Sequence, residues 1–128
     1  MDLLEQRLAD NRFLFGDYIT DSDIRFFVTI IRWDFSYFRN VGPVKHRIAD
    51  YPNIYAYMKE LYNIPAFYQA TYIRDLRLGR GNQDADKNIF TDYLSRIAPQ
   101  IDFDQLLADD GRRASLSQDP TGDMFLRH

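Results

Sequence analysis

The chain has only two histidines, the side chains that most often transfer protons or bind metals near neutral pH, and they stand far apart in the sequence. His46 and Asp50 stand four residues apart, a spacing that places two side chains on one face of a helix. The pair has the form of a base and its orienting carboxylate, but no nucleophile stands beside it in the sequence. The other histidine is the terminal His128, and zinc requires three or four closely spaced ligands. The sequence therefore predicts no catalytic residues and no metal site.

Cysteine is absent from the chain, which excludes disulfides, cysteine–zinc sites and a cysteine nucleophile within these residues. Arg74, Arg77 and Arg80 recur every three residues and would form one basic stripe on a helix. Such a stripe is typical of a solvated helix face. The alternative is a surface that binds an acidic partner or carboxylate groups.

Length and composition indicate one folded domain without nucleic-acid character. The chain has 128 residues, is 45% hydrophobic and 16% aromatic, and carries a net charge of −3. These values support a hydrophobic core, and a domain that wraps nucleic acid usually carries a basic excess. The N-terminal segment MDLLEQRLADN has no apolar signal-peptide core, and no apolar run approaches membrane-spanning length. We expect a soluble cytoplasmic protein with no membrane segment.

The most strongly specified helix start lies at Thr20. Threonine at the N-cap can accept a hydrogen bond from the backbone N–H of Asp23, whose carboxylate can accept one from the N–H of Thr20. Ile19 and Ile24 occupy the two positions of a hydrophobic staple. Each such device contributes roughly 0.5–2 kcal/mol, so together they predict a firmly fixed helix start.

The helix that follows is predicted to run over about residues 20–38 and to lie at the centre of an all-α helical bundle. It is apolar on two faces, and a helix that is apolar on most sides is buried. One stripe is Ile24, Phe27, Ile31, Phe35 and Phe38, and the other is Phe26, Ile30, Trp33 and Tyr37.

Helical patterns also cover residues 2–10, 52–64, 66–78 and 84–98, with one more turn within residues 102–110 (DFDQLLADD). Pro52 suits the first turn of its helix, and the inner stripe there is Ile54, Tyr57, Met58 and Leu61. We expect residues 1–108 to form the helical domain. Residues 109–128 are polar and lack helical period, which predicts a flexible tail.

Several of these segments resemble the C-terminal domain of the glutathione transferases. Residues 13–27 (FLFGDYITDSDIRFF) resemble the turn, capping box and central helix start of that family. Three further segments resemble its Xi class, the glutathionyl-hydroquinone reductases. They are residues 32–34 (RWD) with Tyr37, residues 47–54 (RIADYPNI) and residues 61–65 (LYNIP). The resemblance covers about residues 3–67.

The resemblance implies a glutathione transferase C-terminal-like helical bundle that lacks its companion domain. In the family, a thioredoxin-like N-terminal domain binds glutathione and holds the catalytic cysteine, and that domain is absent from this sequence. Tyr37 matches a tyrosine that lines the substrate site, where its phenol can hydrogen-bond a quinone oxygen. Trp33 lies one turn earlier and would form part of the pocket wall. Both remain open to the simpler interpretation of buried core aromatics.

The function implied is that of a substrate-pocket and interface half of a glutathionyl-hydroquinone reductase-like protein, not catalytic alone. Glutathione would act only together with the missing domain. The expected partners are that domain, a second copy of the chain in a homodimer, or another protein. The alternative is a helical protein-interaction module of the same fold, and a weaker one is a carrier of small ligands.

Overall fold

The computed structural model describes residues 1–33, 46–72 and 103–117. Within these ranges the chain forms α1 (Asp2–Asp10), α2 (Asp21–Arg32), α3 (Pro52–Tyr62), α4 (Pro65–Ala70) and α5 (Phe103–Leu106), with 3₁₀ turns at Ile48–Asp50 and Ala114–Leu116. The described residues contain no strand beyond an isolated bridge between Phe13 and Gly16, so the all-α prediction is confirmed. No helix among them is long and apolar enough to cross a membrane.

The sharp turn that leads from α1 toward α2 depends on Gly16. Its φ of +118° is a conformation that side chains with a Cβ rarely adopt. Phe13 and Gly16 exchange two backbone hydrogen bonds of 2.9 and 3.2 Å across the turn. Phe13 is buried in the core whereas Phe15 points outward and is exposed. The turn therefore brings the end of α1 close to the start of α2.

α2 begins where the capping residues predict, with Thr20 as its extended N-cap. Phe27, Ile30 and Ile31 are buried, and Phe26 and Trp33 are half-buried against the core. This buried face packs on α3, and the Phe27 ring meets Phe67 of α4 edge-on at 5.0 Å.

The opposite flank of α2 departs from the prediction of a helix buried on most sides. Ile24 and Val28 keep 45% and 42% of their surface exposed, because the described neighbours cover only one face of the helix. Of the predicted staple, Ile19 is buried in the core and Ile24 is not. Residues 34–38, predicted to continue the helix, lie outside the described residues, as do the predicted segments within 73–102.

α3 forms the other wall of the core and packs against α1. Pro52 occupies the first turn, where its missing N–H costs no hydrogen bond. The predicted inner stripe of Ile54, Tyr57, Met58 and Leu61 is fully buried. After a break at Asn63, the chain restarts at Pro65 as the short α4.

The segment after α5 differs from the flexible tail predicted for residues 109–128. Leu107 is completely buried, and the side chain of Arg113 is inserted between α1 and α3 with 3% of its surface exposed. The Ser117 hydroxyl donates to the carbonyl of Asp17 at 3.2 Å. The polar composition of this segment led to the prediction of a flexible tail. A hydrophobic pattern cannot reveal that an arginine will be buried. Residues 118–128 lie outside the described residues.

Candidate functional site

Trp33 is the only one of the two predicted substrate-site residues that the described ranges include. It is half-buried at the C-terminal end of α2, and its indole N–H donates to the carbonyl of His46 at 3.4 Å. This contact ties the end of α2 to the chain that leads into α3. Tyr37 lies outside the described residues, so its predicted role stays a prediction.

The His46–Asp50 pair is used structurally. The Asp50 carboxylate accepts from the backbone N–H of Arg47 at 2.9 Å and so caps the 3₁₀ turn that precedes α3. The His46 ring meets Tyr51 edge-on at 5.8 Å. Among the described residues no group of three or more potential ligands could hold a metal ion. His128 and the arginines at 74, 77 and 80 lie outside the described residues.

A buried carboxylate organises the start of α2. Asp23 is fully buried, and its Oδ2 accepts from the backbone N–H and from the hydroxyl of Thr20, both at 2.7 Å. Its Oδ1 accepts from the backbone N–H of Leu14 at 2.9 Å and from the hydroxyl of Tyr57 at 2.7 Å. The capping box is thus extended into a network that joins the first loop, α2 and α3.

Tyr57 is held in the protonated form by this arrangement. Burial, together with the charge and hydrogen bond of Asp23, raises the pKa of the Tyr57 phenol far above its usual value of 10. Phe13 and Phe26 pack against its ring with centroid separations of 6.5 and 6.0 Å. A neutral phenol donates to the carboxylate, so the pair places one negative charge in the core and satisfies it with four donors.

The N-terminus of α3 is capped by a residue from a different helix. Glu5 of α1 accepts from the backbone N–H groups of Asn53 and Ile54 at 2.8 and 2.9 Å, and from the Asn53 side-chain amide at 2.8 Å. These two N–H groups are among those that a helix start leaves unsatisfied. The Tyr-Pro-Asn motif therefore has a local structural use, which is to present this helix end to Glu5.

The C-terminus of α1 is closed in the same way by Arg113. Its guanidinium donates to the carbonyls of Leu8, Asn11 and Arg12 at 2.7–2.8 Å. A cation at a helix C-terminus satisfies free carbonyls and opposes the negative end of the helix dipole. The guanidinium carbon also lies 5.8 Å from the centre of the Tyr57 ring.

Glu60 stands between two buried arginines. Its Oε1 lies 2.6 Å from Arg12, and its Oε2 lies 3.4 Å from Nε of Arg113. Burial raises the pKa of the Glu60 carboxyl, although the hydrogen bond from Arg12 and the charges of both arginines lower it. Burial likewise lowers the pKa of Arg113, against the raising effect of Glu60. The carboxylate and the guanidiniums of this cluster thus all lose favourable solvation when they are buried.

Sequence reasoning missed Arg12, Glu60 and Arg113 as buried residues. One signal was present: Glu60 stands three residues after Tyr57, on the inward face of an otherwise apolar helix. A charge in that position requires a buried counter-charge. The partners came from segments 48 and 53 residues away along the chain, and no local pattern specifies such pairings.

Together these groups fix helix ends. Carboxylates cap the starts of α2 and α3, and a guanidinium caps the end of α1. None of these groups is free to act as a base, because each carboxylate is hydrogen-bonded inside the core or at a helix start.

Comparisons with known proteins agree with the helical architecture. Residues 1–60 match the family model described as glutathione S-transferase, C-terminal domain. A solved structure of a protein assigned as a glutathione S-transferase from Corynebacterium glutamicum superposes with a TM-score of 0.73. That alignment covers 93% of this chain and 38% of the other, at 29% identity.

Three curated relatives are similar over shorter stretches. Glutathionyl-hydroquinone reductase YqjG of Escherichia coli (strain K12) is 35% identical over 58% of this chain. Glutathione S-transferase omega-like 2 of Schizosaccharomyces pombe (strain 972 / ATCC 24843) is 36% identical over 60%. Glutathionyl-hydroquinone reductase PcpF of Sphingobium chlorophenolicum is 43% identical over 42%. The chain spans 23%, 26% and 17% of the lengths of these relatives.

Proposed function

Because residues 1–60 match the model of the glutathione S-transferase C-terminal domain, we propose that this chain is the substrate-pocket and interface half of a glutathionyl-hydroquinone reductase-like protein. The observation that carries the proposal is the similarity of residues 1–60 to the family model, together with two relatives named as glutathionyl-hydroquinone reductases. Those relatives are about four to six times as long as the matched segment, which leaves room for a companion domain.

In this proposal the companion thioredoxin-like domain supplies the thiol chemistry and binds glutathione. The chain itself contains no cysteine, so a cysteine nucleophile must come from elsewhere in the assembly. Trp33 forms part of the apolar wall of the substrate pocket. Tyr37 hydrogen-bonds an oxygen of a quinone or hydroquinone through its phenol.

The exposed flank of α2 supports an interface on the same half of the protein. Ile24 and Val28 lie one turn apart and are both largely exposed, and Arg25 and Asp21 form an exposed ion pair of 2.8 Å beside them. An apolar pair with a charged border is typical of a surface that packs against another domain or a second copy. We assign this flank to the companion domain or to a homodimer contact.

A chimera tests the enzymatic proposal. In it, this chain replaces the matching part of glutathionyl-hydroquinone reductase YqjG of Escherichia coli, and glutathione-dependent reduction of a glutathionyl-hydroquinone is measured. We expect turnover by the chimera and none by the isolated chain. In the chimera, Tyr37→Phe should lower kcat/KM by roughly 10- to 100-fold, because it removes one hydrogen bond to the substrate.

The matched control is Tyr18→Phe, a half-exposed tyrosine of the first loop, which should leave kcat/KM unchanged. Turnover by the isolated chain would contradict the proposal that the companion domain supplies the thiol chemistry. A folded but inactive chimera that still binds a partner protein would favour the interaction module instead.

A further inference from the structure

Residues 107–117, called the strap below, are attached to the rest of the described chain at several points, and two of these are buried anchors. Leu107 is fully buried, and its carbonyl accepts from the side-chain amide of Asn63 at 2.7 Å. Arg113 is the second buried anchor, and the residues between the two anchors are exposed. Gly111, with φ of +72°, makes the turn between them. The strap therefore crosses the surface with an anchor at each side of an open loop.

The anchor at Arg113 combines strong and weak contacts. Its two terminal nitrogens donate to three carbonyls at the end of α1. Its Nε faces Glu60 Oε2 at 3.4 Å, and both atoms are buried without a hydrogen bond among the described residues. Two buried charged atoms that attract each other without forming a hydrogen bond do not recover the full free energy lost when they leave water. Glu60 thus attracts the strap without the hydrogen bond that would make the pair tight.

Glu60 also holds the far end of the strap through a second arginine. Arg12 lies 2.6 Å from Glu60 Oε1, and its Nη1 donates to the carbonyl of Ser117 at 2.5 Å. Arg12, which donates to the strap backbone, and Arg113, which belongs to the strap, therefore share one carboxylate. Loss of that single negative charge would leave two buried guanidiniums without their shared counter-charge.

The same anchor reaches the start of α2. The Arg113 guanidinium lies over the ring of Tyr57, and the Tyr57 hydroxyl donates to Asp23 inside the capping network. The strap therefore packs against Tyr57, which hydrogen-bonds Asp23. Through these groups Arg113 does not itself contact α2.

We propose that residues 107–117 form a releasable strap, which detaches from the helices as one unit before the helices unfold. The ion pairs of the Glu60 carboxylate hold it in place. Opening the strap withdraws Arg113 from Tyr57 and so loosens the capped start of α2. This inference concerns a conformational device of the fold and does not depend on the proposed enzymatic function.

Amide hydrogen exchange of the full chain tests the strap, with Glu60→Gln as the main variant. Because it breaks buried ion pairs, we expect exchange in residues 107–117 to rise on the order of 100-fold, well beyond the rise in residues 57–61 of α3. Glu5→Gln is the matched control, since it removes a carboxylate that caps α3, and the strap reaches that helix start only through Arg112, which donates to the carbonyl of Pro52. It should raise exchange near Asn53 and Ile54 and leave residues 113–117 of the strap protected.

A second variant keeps the ionic cluster intact in case Glu60→Gln fails to fold. An added Cβ at Gly111 meets no atom within 4 Å, so Gly111→Ala strains only the backbone of the strap. Exchange in the strap should rise about 5- to 30-fold, with the Asp23 amide rising alongside it and the Ile30 amide unchanged. Equal exchange of strap and α3 in every variant would overturn the releasable strap. An unchanged Asp23 amide would overturn its link to α2.

Discussion

The Asp23 carboxylate has a local role at the start of α2 and a second role in joining three segments of the fold. As an N-terminal acid it complements the helix dipole, which is the role that its position in the sequence indicates. In the folded chain the same carboxylate also receives the Leu14 N–H and the Tyr57 hydroxyl, so it connects three segments. A fully buried carboxylate is tolerated because four donors replace the water that it loses.

Removing the Tyr57 hydroxyl should weaken the fold measurably. Tyr57→Phe deletes a 2.7 Å hydrogen bond to a buried charge, so we expect the free energy of unfolding to fall by about 1.5–3 kcal/mol in urea titrations. Tyr68→Phe is the control, because that hydroxyl is 3.4 Å from an exposed carboxylate and should change stability by less than about 0.5 kcal/mol. Equal effects of the two variants would show that the buried hydrogen bond is not special.

The same tyrosine predicts a loss of stability in alkaline solution. The pKa of Tyr57 is raised in the folded chain, so above pH 10 the unfolded chain releases a proton that the folded chain keeps. The stabilising contribution is complete below pH 10 and is lost as the pH rises above it, by about 1.4 kcal/mol per pH unit. Unfolding measured between pH 9 and 11 should show a shallower slope for Tyr57→Phe. Parallel slopes for the two proteins would contradict this prediction.

At the scale of elements, each helix end that we describe depends on a residue outside its own helix. α3 is capped by Glu5 of α1, and α1 is closed by Arg113 of the strap. α2 carries its own Asp23, but Tyr57 of α3 orients it. Short helices are marginal alone, so these exchanged caps make the formation of each helix depend on packing with its neighbours.

Glu5→Gln is the simplest test of such a cap. The neutral amide keeps only one acceptor oxygen and loses the favourable charge at the start of α3, so we expect a loss of about 1–2 kcal/mol in stability. The control is Asp10→Asn in the last turn of the same helix, where an acid opposes the dipole. That change should be neutral or slightly stabilising. A neutral Glu5→Gln would mean that water replaces the cap without cost.

At the scale of the whole molecule, the described helices form a core with one flank of α2 left open. The matched segments make up only 23% and 26% of two glutathione transferase-family relatives, and the proposed companion domain would cover that flank. The strap closes a different side of the same core, over α1 and α3. Residues 107–117 thus cover one side of the core, and the flank that contains Ile24 and Val28 is the one we propose as an interface.

A charge on the open flank should separate association from folding. Val28→Lys places an ammonium at a position that is 42% exposed, so the free energy of unfolding should change by less than about 0.5 kcal/mol. In the chimera, or in a self-association measurement by analytical ultracentrifugation, the same variant should weaken the contact by roughly 10-fold or more. Arg25→Lys, exposed on the same helix, is the control. Unchanged association would remove this flank from the proposed interface.

Local sequence patterns were sufficient to predict the helices whose starts are specified by residues within one or two turns. The capping pair of Thr20 and Asp23 placed the start of α2, and Pro52 with its apolar stripe placed α3. These devices act between residues three or four apart, so the sequence displays them directly. The resemblance of residues 47–54 to a family motif identified the fold, although the motif's local use as a helix end for Glu5 became visible only in the structure.

The sequence by itself determined the helical class, the main helix starts and the absence of a cysteine nucleophile. Only the tertiary structure decided that Arg113 is an anchor and not part of a tail, and that Glu60 is shared by two arginines. It also decided that Ile24 faces outward despite its place in an apolar stripe. The physical reason is the range of the forces: caps and periodicity act within a helical turn, whereas burial of a charge depends on partners about 50 residues away.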